Sequence, residues 1–246
     1  MPARGPVGVL VLVLMVLVGA LAWAQAPASP QALSSQAERP PTIDELRKAV
    51  AALRGDRIAR PTSYDALTPQ QKAYVASILS GPRGDISGSL GIMMVSPVLG
   101  DLAQKAIAYS RFAGRPGYST VPAKLSELAI LMGARAWTAQ YAWNAHEGAG
   151  LRAGLPPDVV NAVKAGRRPS AMDQDVEAVY TFCAELLATK QVSDTTFQNA
   201  KRVLGGDQGI VDLTATLGLY QTVAMLMVVD RMPLPTGVAP PLKPLP

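Results

Sequence analysis

The chain has 246 residues, 49% of them apolar, and a formal net charge of +5. That length serves one large domain or two small ones. The charge is mild and forms no block of five or more like residues, which argues against nucleic acid, whose phosphates demand a concentrated basic face. Cys183 is the only cysteine and His146 the only histidine. An intramolecular disulfide, a Cys-x-x-Cys redox pair and a multi-His metal centre are thereby excluded within this chain, and neither a metal nor a cofactor is expected.

In chain order, the first feature is the uncharged run Val7–Trp23, preceded by Arg4 and followed by small residues at Ala22 and Ala24. Seventeen residues are short for a bilayer and a cleavage pattern follows, so residues 1–24 read as a secretory signal peptide, the alternative being an uncleaved anchor. The expectation is an exported protein, periplasmic or secreted, by the general secretory route, with no membrane association after cleavage. Removing residues 1–24 takes away Arg4 and no acid, which leaves a net charge of +4. Residues 25–42, rich in Pro, Ala, Ser and Gln, read as a flexible lead-in. Residues 43–232 read as one helical domain. The Pro-rich tail 233–246 cannot be helix or central strand and is expected to lie extended on a neighbouring surface.

Within the domain, helices are predicted from Thr42, with Asp44 and Glu45 in the first turn, and from Thr68, with Pro69 at the first helical position. The second stops at Gly81-Pro82. Gly81–Ser96 reads as a loop and a short apolar piece; its four glycines lack the Gly-Lys-Ser/Thr of a phosphate loop. Ser96-Pro97 opens a helix that Gly114 closes. Ser170 and Asp173 have capping-box spacing ahead of an apolar stripe through Val176, Val179, Tyr180, Cys183 and Leu187. Ser193 caps a helix to Leu204. Ile210–Val229 is apolar nearly all round, interrupted by Asp212, Thr214, Thr216, Gln221 and Thr222, and reads as a buried or subunit-contact helix rather than a membrane span. No segment alternates with period two over strand length, so the predicted fold class is all-α.

Chemistry concentrates in Pro122–Gly150. Glu127 and His146 are nineteen residues apart, about 28 Å along a single straight helix. Thr138 is a plausible N-cap for a second helix, which puts a chain reversal near Ala136–Thr138. Glu127 then lies eleven residues before the turn and His146 eight after it, at comparable depths on two antiparallel helices, so the two side chains can meet. The structural alternatives are a satisfied core histidine, a Glu127–Lys124 pair one turn apart, an Arg135 that caps helix-end carbonyls, core roles for Tyr141 and Trp143, and a loop role for Arg83.

The pattern SELAILMGARAWTAQYAWNAHEGAGLRAGLPPDVV, with GPRG upstream and VDLT downstream, resembles the carboxymuconolactone decarboxylase family, which includes alkyl hydroperoxidase D. The likeness covers most of residues 60–235 and is densest over 124–160. It implies an alkyl-hydroperoxidase-D-like helical fold assembled as a trimer or hexamer, with the site near subunit contacts. The family's peroxidase branch carries Cys-x-x-Cys four residues before the histidine; those positions fall on Ala139 and Ala142, while the relay glutamate falls on Glu127. Without the thiols, peroxidase chemistry is not expected. The decarboxylase branch implies His146 and Glu127 as the catalytic proton-transfer pair, with His146 as proton donor. Arg83 and Arg135 are candidate carboxylate anchors, and Tyr141 and Trp143 candidate pocket walls. The expected activity is cofactor-independent acid/base chemistry, decarboxylation or isomerisation, on a small acidic or lactone-like substrate. The alternatives are a peroxidase relative that has lost its thiols and a non-catalytic oligomeric protein that binds a small ligand.

Overall fold

Side-chain capping sets where several helices begin. In the computed structural model, which describes residues 39–245, Thr42 and Thr68 each close a capping box, with Glu45 and Gln71 respectively. They start α1 (Ile43–Ala51) and α2 (Pro69–Leu79). Ser193 accepts from the Thr196 amide and starts α9 (Asp194–Val203). The remaining helices are α3 (Ser89–Met93), α4 (Pro97–Arg111), α5 (Ala123–Ala136), α6 (Gln140–Arg152), α7 (Pro157–Lys164), α8 (Gln174–Thr189) and α10 (Asp207–Asp230). Among the described residues there is no strand, so the fold class is all-α. The expected signal peptide at 1–24 and most of the expected lead-in at 25–42 lie outside the described residues.

Two local expectations are corrected, and one helix is added. Thr138 is not an N-cap: it takes φ 47° and makes the left-handed turn between α5 and α6, whose N-cap is Ala139. The Ser170–Asp173 box does not form, because α8 starts later, with Asp173 itself at the N-cap. Pro157–Lys164 is a helix that hydropathy did not single out, with Pro157 and Asp158 in its first turn.

α5 lies at the centre, buried continuously from Leu125 to Arg135, as a helix enclosed on every side must be. It packs along α10 and α6 and also touches α4, α7 and α8. α10 is long and apolar enough to cross a membrane by composition. It buries Leu213, Leu217, Tyr220, Val223, Ala224 and Met227 against the other helices. Two apolar cores share these axes. The first joins α5, α7, α8 and α9 around Trp143, Phe182 and Cys183. The second joins α1 to α4 with the C-terminal half of α10, around Tyr74, Ile92, Met94 and Tyr220.

The tail is extended, as its prolines require, yet it belongs to the domain. Leu242 inserts into the first core, and its backbone N–H and C=O both pair with the Gln140 side chain, at 2.9 and 2.8 Å. At the other end of the second core, the buried carboxylate of Asp230 accepts from Arg60 at 2.6 Å and from the Ile58 amide at 2.8 Å. That network ties the segment after α1 to the end of α10.

Candidate functional site

The α5–α6 hairpin brings Glu127 and His146 together: the His146 Nδ1 lies 2.8 Å from Glu127 Oε2, and both side chains are buried. Close approach of the two helices needs a small residue one turn beyond His146. Gly150 supplies it, since a Cβ there would stand 3.0 Å from Leu155 and 3.2 Å from Leu131. On its other side, the His146 Nε2 lies 3.1 Å from Arg111 Nη1, at the last turn of α4. The Tyr220 ring of α10 meets the imidazole edge-on, centroids 5.0 Å apart, a favoured aromatic geometry.

These contacts assign the tautomer. A guanidinium only donates, so Nε2 accepts from Arg111; Nδ1 therefore carries the proton and donates it to the Glu127 carboxylate. Burial pushes the His146 pKa below its ordinary value. Glu127 opposes that shift, while the positive charges of Arg111 and Arg83 reinforce it. The imidazole is neutral at pH 7, and its resting chemistry is that of a base at Nε2.

His146, Arg111 and Tyr220 line a cavity of about 90 Å³ together with Arg83, Tyr141 and Ala142. Glu127 is not on its wall; it stands behind the imidazole. Arg83 reaches the cavity from the turn after α2. Gly84 and Gly88, at φ 68° and 65°, carry the chain from that turn into α3. At Gly88 a Cβ would also meet Met227 at 3.0 Å and Tyr141 at 3.1 Å, so a side chain there is both crowded and strained by the positive φ. Asp85, at the cavity mouth, turns its carboxylate onto the amide and hydroxyl of Ser87. Among the described residues Arg83 makes no ion pair, and its Nε is buried without a hydrogen-bond partner, as is the Tyr220 hydroxyl. Burial, and then repulsion from Arg111, lower the proton affinity of Arg83. Burial raises the Tyr220 phenol, with Arg111 the largest influence in the other direction. Two guanidiniums and a phenol thus converge on a small cavity beside a neutral imidazole, an arrangement suited to a carboxylate.

Of the residues singled out in the sequence, the structure brings Glu127, His146, Arg83 and Tyr141 to this place. It does not bring Arg135 or Trp143. Arg135 is two turns further along α5 than Glu127, about 12 Å at 1.5 Å per residue, and donates to the Thr138 hydroxyl at 3.1 Å. Trp143 is fully buried in the first core with no partner for its Nε1, and it is not among the residues that line the cavity. Arg111 and Tyr220 were missed. An arginine in the last turn of a helix reads as a dipole partner, and a tyrosine inside an apolar run reads as core.

Ala142 lines the cavity and Ala139 is buried beside it. Cys183 lies in the other core, fully buried, and burial pushes its thiol up to about 12. Among the described residues, no three His, Cys, Asp or Glu side chains converge to hold a metal ion. No family model matches the chain, and no curated protein matches its sequence.

Proposed function

We propose that this protein is a cofactor-independent acid/base catalyst of the carboxymuconolactone decarboxylase type, acting on a small carboxylate or lactone acid. The observation that carries the reading is the hydrogen-bonded series Glu127–His146–Arg111, with His146 and Arg111 on the wall of the cavity. Arg83 and Arg111 would hold the substrate carboxylate by charge-assisted hydrogen bonds. In an isomerisation, Nε2 takes a proton from the carbon next to a carbonyl, and the imidazolium so formed, stabilised by Glu127, returns it to the rearranged carbon. In a decarboxylation, the C–C electron pair stays on carbon as carbon dioxide leaves. A His146 imidazolium charged from solvent then delivers the proton to that carbon. The buried thiol of Cys183, on another helix and in another core, gives the thiol-peroxidase alternative no reacting atom at this site.

The test is turnover by His146→Gln on a panel of lactone and keto acids. We expect a loss of about 10²–10⁴-fold, the range for a positioned acid/base group, with the helical circular dichroism unchanged. Retained turnover overturns the assignment. A binding protein without turnover is the second reading, favoured by one observation: Arg111 already occupies Nε2.

We infer further that the helices follow the alkyl-hydroperoxidase-D arrangement, that the chain is exported, and that it assembles with copies of itself. The motif over 124–160 supports the first, and the charge-free run Val7–Trp23 supports the second. Val98, Leu99 and Leu102, exposed at 69, 60 and 65% on the helix that also carries Arg111, support the third. A monomer mass by light scattering would contradict it.

A further inference from the structure

We propose that Arg111 is an anion-released mask on His146: its guanidinium holds Nε2, and a carboxylate entering between Arg111, Arg83 and Tyr220 draws it away and frees that nitrogen. The inference rests on the acid/base reading of the site and explains how a base already engaged by an arginine can act.

Four observations carry it. Nε2 is the imidazole nitrogen on the cavity side, because Nδ1 is committed to Glu127, which is not on the wall. Its one partner is Arg111 Nη1, at 3.1 Å. The cavity, about 90 Å³, exceeds the roughly 10–15 Å³ that a single water needs, so it admits a carboxylate head. Two buried polar groups on its wall, Arg83 Nε and the Tyr220 hydroxyl, lack hydrogen-bond partners, whereas buried polar groups are ordinarily satisfied.

The exchange is downhill for a simple reason. A guanidinium donating to a neutral imidazole makes an ordinary hydrogen bond, while a guanidinium paired with a carboxylate makes a charge-assisted and often bidentate one. The carboxylate also relieves the repulsion between Arg83 and Arg111, and it offers Tyr220 an acceptor. Once Arg111 turns to the anion, Nε2 is uncovered and the positive charge beside it is neutralised, so its affinity for a proton rises. The groups that face the imidazole are Glu127 from α5, Arg111 from α4, Arg83 from the turn after α2 and Tyr220 from α10. Of these, Arg111 is the one whose hydrogen bond ends on Nε2. The base is thus armed by its own substrate's carboxylate. Arg111 is a positioning residue in this scheme as well as an anchor.

The test follows the single imidazole by ¹⁵N NMR while the protein is titrated with sodium acetate, against sodium chloride at matched ionic strength. We expect a saturable change at His146 Nε2 and a rise in its titration midpoint with acetate, and neither with chloride. In Arg111→Gln the midpoint should already be raised without acetate, and the acetate affinity should fall at least tenfold. Arg111→Lys, which keeps the charge but loses the fork, should fall between the two. If acetate binds, seen as a saturable shift of the Arg83 Nε–H resonance, while Nε2 does not respond, the mask is wrong and the acid/base reading stands. If neither Arg83 nor His146 responds, the mask and the carboxylate site both fall. Should Arg111→Gln lose its helical signal, the wild-type titration and Arg111→Lys decide the matter.

Discussion

His146 and Cys183 are both buried titratable side chains, and burial drives each toward its neutral form, the imidazole down and the thiol up to about 12. Their surroundings separate them. Cys183 sits among Val176, Val179, Phe182 and other apolar groups of the first core and behaves as a small hydrophobe. His146 is held from two sides, by Glu127 and by Arg111, on the wall of a cavity in the second core. Burial among apolar groups alone leaves a titratable group without a partner; burial with an acceptor at one nitrogen and a donor at the other supplies the contacts that proton transfer would need. The boundary between the two worlds runs along α6, where Trp143 turns into the first core and His146, three residues on, faces the cavity.

The dry side of this comparison breaks most expensively. Trp143→Ala should lose about 3–5 kcal/mol of stability by opening a large void in a packed core. In the same urea unfolding experiment, Cys183→Ser should lose about 1–3 kcal/mol, because the buried hydroxyl finds no partner there. Neither should alter acetate binding. A Cys183→Ser protein of unchanged stability would mean that the first core is not dry.

The wet side carries a smaller, pH-dependent effect. The folded-state pKa of His146 is depressed, so the unfolded chain binds more protons than the native one once the pH drops below the unfolded value of about 6.5. Stability contributed by the neutral imidazole is therefore complete above about pH 6.5 and declines below it, until the pH passes the folded pKa. That window lies above the range where Glu45, Asp101, Asp175 and Asp230, all held below their ordinary values, begin to protonate. The decline between pH 6.5 and 5 should vanish in His146→Gln. A decline of equal size in that variant would assign it to another group.

The fold class and the Glu127–His146 meeting were legible because both rest on local signals: helical periodicity, and a reversal whose position sets equal depths on two helices. Element edges failed where two signals competed. Ser170 offered a cap, but Asp173 is the N-cap, three residues later. Thr138 looked like a cap and is the left-handed residue of the turn. α7 announced itself only through Pro156, Pro157 and Asp158, a start signal without a long apolar stripe behind it. Trp143 was misplaced because a three-residue step on a helix is a rotation of about 60° from a common face, given 3.6 residues per turn; at the seam between two cores that is enough to change sides. Arg111 and Tyr220 come from helices 35 residues before and 74 residues after the histidine, and only the packing of α4 and α10 about α5 brings them together.

The most direct test of the account is the titration of the His146 imidazole by NMR, in the wild type and in Glu127→Gln. Glu127 raises the proton affinity of His146 against burial, so the account predicts a midpoint below 6.5 in the wild type and a still lower one in the variant. A midpoint near 6.5 that does not move when Glu127 is replaced would contradict it, since the imidazole would then be neither buried nor joined to Glu127.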